Sequence, residues 1–223
     1  MWFQKIWETG FVPTLWKKAI VVPLLKTGKD PKSTACYRSI SLTSTIGKST
    51  ERMINTRLNW LLEINNIMAN EQAGFRIHRS TIEHIAKFSQ FIKDALDNKR
   101  ILTAVFIDFK SAYDSVWKEN LLFKLLRSGI RSNLLQWLES FLSNRAHYSK
   151  YHILQTGLPK GDVTSCTLFN LYINDLTGEL YSIPGIKCLL YADDVAFWTE
   201  VDKRKAEEKT EHTLSKALAI LEE

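Results

Sequence analysis

A chain of 223 residues, 45% of them hydrophobic, can bury one large core or two smaller ones, and its formal charge of +6 leans toward an anionic partner without requiring one. Three widely spaced cysteines, Cys36, Cys166 and Cys188, make no metal spacing and cannot all pair, which points to a reducing, intracellular setting, cytoplasmic or nuclear. The opening MWFQKIWETG lacks the apolar core of a signal peptide, and no run approaches a membrane span, so no membrane partner is expected.

No repeat, low-complexity tract or Gly/Ser linker divides the chain. Residues 19–25, AIVVPLL, form a short β-branched run that predicts a strand, followed by a basic loop rich in turn formers, KTGKDPKSTACYR. Near-helical spacing of Ile46, Met53, Ile54, Leu58, Leu61 and Leu62 predicts a helix over 46–64. Residues 81–96 repeat that pattern through Ile82, Ile85, Ile92 and Leu96, with Ser80 as the N-cap. The strongest strand is 101–109, ILTAVFIDF, interrupted by a charge at Asp108. Helices are predicted over 121–126, stopped by Gly129, and over 134–142; 147–155 reads as extended and 168–180 as one helix. Two strands around a turn follow at LLYADDVAF (189–197), and an amphipathic helix over 204–221 closes the chain. Trp117, Trp137 and Trp198 fall on apolar faces and are expected in cores, and five scattered histidines show no zinc-ligand spacing. The fold class is mixed α+β.

Adjacent Asp193 and Asp194 inside an apolar strand pattern pose a physical problem, since like charges a few ångströms apart repel strongly in a low dielectric. They are either the solvated tip of a hairpin, where Asp tolerates tight-turn angles, or a buried pair made tolerable by a cation, a shared proton or water. Asp108 is either a strand-end cap or a third member of that set. Should Asp108 and Asp193 lie on neighbouring strands, the three carboxylates converge. Such a cluster can hold two divalent cations, which suits phosphoryl transfer.

Asp108 and YADD stand in a series of ordered blocks: KTGKDPKSTACYRSISLTSTIGKSTERMINTRL (26–58), QAGFRIHRST (72–81), AVFIDFKSAYDSVWKENLLFKLLRSGI (104–130) and GLPKGDVTSCTLFNLYINDL (157–176). This series resembles the reverse transcriptase of non-LTR retrotransposons, closest to the jockey-like lineage, over essentially the whole chain. The resemblance implies a right-hand polymerase, with fingers over 1–100 and an incomplete palm over 101–223, an antiparallel palm sheet packed on helices and the thumb missing. It implies that Asp108 and Asp193 ligate Mg²⁺ (or Mn²⁺), with Asp194 more peripheral. Tyr113 would be the ring that excludes a ribose 2′-OH, unless it is only core packing, and Phe109 would sit at the nucleotide. Lys26, Arg38 and Arg76 would reach the incoming nucleotide, although Lys26 and Arg38 also read as solvated loop charges. Gly74, Phe75, Gly157, Pro159, Lys160 and Gly161 would line the template–primer.

Partners implied are an RNA template, a DNA primer and dNTPs. Ser39 stands where the family writes proline, Cys166 replaces another proline common in related enzymes, and Lys160 stands where it writes glutamine. Lysine offers donors and a charge but no acceptor. The blocks expected after YADD, and an upstream endonuclease, fall outside the chain, which is expected to be a fragment and a poor polymerase alone. The competing expectations are an idle nucleic-acid-binding remnant and an RNA-dependent RNA polymerase, the latter disfavoured by the aromatic Tyr113.

Overall fold

A computed structural model describes residues 2–33, 36–147, 152–153, 156–203 and 206–222. In chain order the elements are α1 (Trp2–Thr9), a 3₁₀ turn (Thr14–Lys17), β1 (Lys18–Leu25), β2 (Tyr37–Leu42), α2 (Thr45–Ile64), α3 (Thr81–Asp97), β3 (Arg100–Asp108) and α4 (Lys118–Arg127). After them come α5 (Ser132–Leu142), β4 (Ala146–His147), β5 (His152–Ile153), α6 (Val163–Tyr172), α7 (Leu176–Tyr181), β6 (Ile186–Tyr191), β7 (Asp194–Asp202) and α8 (Ala206–Glu222). They form two compact units, one from 1–67 with 111–172 and the other from 68–110 with 173–223. Each unit draws on both sides of residue 100.

The first unit carries a four-stranded sheet in the order β2-β1-β4-β5. β1 and β2 are antiparallel from Ile20 opposite Leu42 to Leu25 opposite Tyr37, while β4 joins β1 in parallel. α2 begins where the Ser44 side chain accepts from the Gly47 amide and buries the stripe Ile54, Leu58 and Leu62, spaced four apart as a helix face requires. α2 packs on α6, and α4 on α5 and α6. The predicted stop after α4 is a left-handed residue: Gly129 has φ +79°, and the Ile130 amide returns to the Leu125 carbonyl.

A buried charge network ties this unit together. Arg145 donates through Nη1 to Asp162 Oδ2 and through Nε to the Phe141 carbonyl, and the Thr43 hydroxyl donates to Asp162 Oδ1 at 2.9 Å. The Arg145 and Asp162 side chains are 3% and 0% exposed, so the ion pair is cut off from water. Glu51 of α2 accepts from the Val163 amide at 3.0 Å. Burial first, and then the Asp162 charge, push its carboxyl up to about 7. Unfolded, the group titrates near 4.5, so between pH 4.5 and 7 the folded state binds the extra proton and loses stability as pH rises. Glu51→Gln keeps the acceptor without the charge. Its melting temperature is expected to exceed the parent's at pH 8 and to match it near pH 4.5, as thermal scans across pH would show.

The second unit is built on the antiparallel sheet β3-β7-β6. β7 shows strand alternation plainly. Val195 and Phe197 enter a core with Leu190, Cys188, Leu214 and Ala217, against which Val105, Ile107 and Phe109 pack. On the opposite face Trp198 meets Phe88 and Phe91 of α3, ring centroids 5.0 and 5.1 Å apart. α3 starts as predicted, with the Ser80 hydroxyl accepting from the Glu83 amide.

Two expectations change, and two elements have no counterpart in the sequence reading. The helix expected over 168–180 is two, α6 and α7, because Ile173–Asp175 break the run. The break coincides with the division between units. Trp117, expected in a core, is 57% exposed, whereas Trp137 and Trp198 are buried as expected. β2 arises from YRSISL, which carries too few apolar residues to read as a strand and is specified by pairing with β1. α1 was likewise unread. Of the extended segment 147–155, residues 148–151 and 154–155 lie outside the described residues, and β4 and β5 account for the rest.

Candidate functional site

The antiparallel register of the second unit ends on carboxylates: Asp108, last in β3, lies directly opposite Asp194, first in β7. Residues facing each other across such a pair project to the same side. Asp193 stays in the two-residue loop that joins β6 to β7, between the paired Tyr191 and Asp194. The expected convergence is therefore a cross-strand pair plus a neighbour in the turn. Burial, then the charges of Asp193 and Asp108, hold the Asp194 carboxyl above the usual carboxylate range. Among the described residues, no three His, Cys, Asp or Glu side chains close around a single point. Asp108 and Asp194 edge a cleft of about 350 Å³ whose other walls are mostly apolar, with Ile85 and Phe88 of α3, Phe106, Leu189 and Ala196 beside His84 and Tyr191.

The same unit holds the block at 72–76. Arg76, expected at the nucleotide, donates from Nη1 to the carbonyls of Ala69 and Gln72 and so braces its own loop. Gly74 is buried against Ala192, where a Cβ would collide with the backbone nitrogen. Phe75 is half exposed at φ +54°. Phe109, expected at the nucleotide, is partly buried and packs against the core.

The remaining candidates belong to the first unit. Tyr113 stacks on Phe169 with ring centroids 4.8 Å apart and planes 16° from parallel. The loop after β5 folds back on the turn around it: the Leu158 amide donates to the Tyr113 carbonyl at 2.7 Å and the Gly157 amide to Val116 at 2.9 Å. Gly157, at φ +83°, lies so near Asp114 that any side chain would strike backbone. Pro159 is buried beside it. Gly161 passes against Ser41 of β2, whose amide donates to the Lys160 carbonyl at 3.1 Å. The Lys160 ammonium, the position where glutamine was expected, is engaged by Asp114. Arg38 is exposed on β2, opposite Leu24, and Lys26 lies just beyond β1 with its amide on the Cys36 carbonyl.

Sequence reasoning missed Gln72, Asp114 as the partner of Lys160, and the Arg145–Asp162 pair. The available signal was an amide or charge lodged in an otherwise apolar or glycine-rich block. Its partners, 17 to 120 residues away, left no local trace.

Residues 28–222 match the family described as reverse transcriptase (RNA-dependent DNA polymerase). The chain belongs to the reverse transcriptase family. It is 32% identical over 204 residues to the probable RNA-directed DNA polymerase from transposon BS of Drosophila melanogaster, covering 87% of this chain and 22% of that protein. To the polymerase from the mobile element jockey of the same species it is 29% identical over 209 residues, covering 89% and 23%. The chain thus spans about a fifth of the length of these curated relatives. The resemblance to polymerases of non-LTR, jockey-like elements is borne out.

Among solved structures, apo telomerase from Candida tropicalis superposes with a TM-score of 0.65 at 13% identity, over 95% of this chain and 47% of that one. Telomerase from Candida albicans, solved with a fragment of telomeric RNA, gives 0.63 at 12% identity, over 93% and 41%. At such identities the likeness is one of fold, and it supports the α+β fingers-and-palm architecture of this reverse transcriptase domain.

Proposed function

We propose that this reverse transcriptase domain carries the polymerising centre of an RNA-directed DNA polymerase from a non-LTR element. The observation that supports this most directly is the pairing of Asp108 with Asp194 beside Asp193, in a chain whose family is defined by such chemistry. The reaction joins a primer 3′-oxygen to the α-phosphorus of a dNTP, breaks the bond to the bridging oxygen and releases pyrophosphate, while the hydroxyl proton passes to solvent.

Asp108 and Asp193, with Asp194 alongside, would hold Mg²⁺ or Mn²⁺, which supplies charge stabilisation at the phosphate oxygens and an acidified hydroxyl. The fit is chemical. The donors are hard oxygens, burial and then the neighbouring Asp193 and Asp108 charges raise the Asp194 carboxyl, and Mg²⁺ is commonly bound by only one or two carboxylates plus substrate oxygens. The carboxylates themselves set the position of the cation and repel bare phosphate. Tyr113 would select deoxyribose by steric exclusion, its ring held by the stack on Phe169. Arg38 and Lys26 would meet the triphosphate, and Lys160, Gly157, Pro159 and Gly161, with Gly74 and Phe75, the template–primer.

The division into fingers over 1–100 and palm over 101–223 follows the same reading, as do an RNA template, a DNA primer and an intracellular location. No helix of the described residues is long and apolar enough to cross a membrane.

Primer extension on an RNA template tests the reading. Weak divalent-dependent incorporation of dNTPs over rNTPs is expected, with Tyr113→Val raising the ribonucleotide share. Nucleic-acid binding without any extension would favour the idle remnant, and preference for rNTPs would favour an RNA polymerase.

A further inference from the structure

The aspartate loop contains a strained residue. Ala192 sits at φ +56°, a region costly for any side chain, and it is 4% exposed. A two-residue hairpin loop with this twist ordinarily takes glycine there. Strain of this kind persists only where surrounding structure over-determines it. Here Gln72 does so. Its side chain, in a residue 1% exposed, accepts through Oε1 from the Ala192 amide at 2.9 Å and donates through Nε2 to the Ala192 carbonyl at 3.3 Å. Both backbone polar groups of the strained residue are thus taken by one side chain from 120 residues away.

Gln72 is itself fixed. Its Oε1 also accepts from the Gly74 amide at 2.8 Å, and Arg76 holds its carbonyl. On either side, Leu190 donates to the Glu71 carbonyl at 2.8 Å and Ala73 to the Leu190 carbonyl at 3.0 Å, so the segment lies along β6 as a one-residue parallel bridge. The missing Cβ of Gly74 is what permits this approach. From this geometry we infer that Gln72 is a positioning residue: it holds Ala192 in its left-handed conformation and thereby fixes where Asp193 and Asp194 stand relative to Asp108. The assignment rests on reading those aspartates as the cation site. A flexible loop would let Asp193 and Asp194 swing apart under their own repulsion, and each added conformer lowers the affinity for a shared cation.

The test uses the whole chain with Mn²⁺ as probe. Gln72→Met keeps length and volume but removes every hydrogen bond. In metal-free protein it is expected to speed hydrogen exchange at the Ala192 amide about tenfold, with core amides such as Phe197 unchanged. In Mn²⁺ titrations followed by electron paramagnetic resonance, the same variant is expected to raise Kd about tenfold. Adding Ala192→Gly, which meets positive φ without strain, is expected to recover part of that loss. Asp108→Asn separates the underlying reading from this one. Unchanged Mn²⁺ binding in Asp108→Asn ends the cation-site reading, and the clamp is then decided by exchange at Ala192 alone. Unchanged exchange in Gln72→Met overturns the clamp, and faster exchange with unaltered Mn²⁺ affinity overturns the positioning role. Should Gln72→Met not fold, Gln72→Glu keeps the acceptor and is expected to leave the Ala192 and Gly74 amides protected; rapid exchange at both would overturn the proposal.

Discussion

Asp108→Asn is expected to lower RNA-templated incorporation by about three orders of magnitude, the several kcal/mol that charge stabilisation at a reacting phosphate supplies. The same substitution is expected to leave the fold intact or slightly strengthened. Asparagine keeps the shape of the strand end while removing one of two like charges placed directly opposite each other, since Asp108 faces Asp194 across the ladder. Like charges in that position destabilise by about 0.2–1 kcal/mol, so the melting temperature in metal-free buffer should rise by roughly 1–3 °C. Activity and stability moving in opposite directions is the mark of a residue kept for chemistry at the expense of packing. Extension and thermal melting on one preparation check both halves. A variant that loses activity because it melts early would show that Asp108 is a structural cap, the bland reading of a strand-end carboxylate.

What could be read beforehand follows from the range of the forces involved. β3, β6 and β7 are specified by local runs of apolar residues, and ILTAVFIDF and LLYADDVAF announce them without outside help. The caps Ser44 and Ser80 are equally local, although only Ser80 was singled out. β2 was hidden because its exposed residues carry no pattern, and its strand character comes from β1. The break between α6 and α7 was hidden because apolar spacing runs on through Ile173 while Asn174 is drawn off to cap the Ala69 amide. At the site, chemistry was legible in residue types and their order. Support was not: the grip of Gln72 on Ala192, and of Asp114 on Lys160, joins segments 120 and 46 residues apart. Arg76 and Phe109 show the converse case, residues of a functional block that also serve its backbone and core.

The largest loss of stability is expected from Asp162→Ala. The residue follows Gly161 in the loop that carries Lys160, and its carboxylate is wholly removed from water between Arg145 and Thr43. Removing one partner of a buried pair leaves the other as an uncompensated charge, which costs about 3–5 kcal/mol. Two effects pull against each other. Thr43 loses its acceptor, adding to the cost, while Glu51 is freed from the Asp162 charge and its own carboxylate can answer Arg145 more fully. The second effect places the expectation near the lower figure, about 3 kcal/mol, or a fall in melting temperature of roughly 6–12 °C at neutral pH. It also fixes a pH signature: with Asp162 gone the Glu51 carboxyl should titrate lower, so the variant's deficit should shrink as pH rises from 5 to 8. Replacing both members, Arg145→Met with Asp162→Leu, is expected to recover most of the loss, because an apolar pair of similar volume carries no desolvation cost. Urea unfolding of the two variants and the parent at pH 5 and 8 reads all of this directly. A single variant within 1 kcal/mol of the parent would mean that water reaches Arg145 and that the pair is not the tie between the end of α5 and the Lys160 loop that its burial indicates.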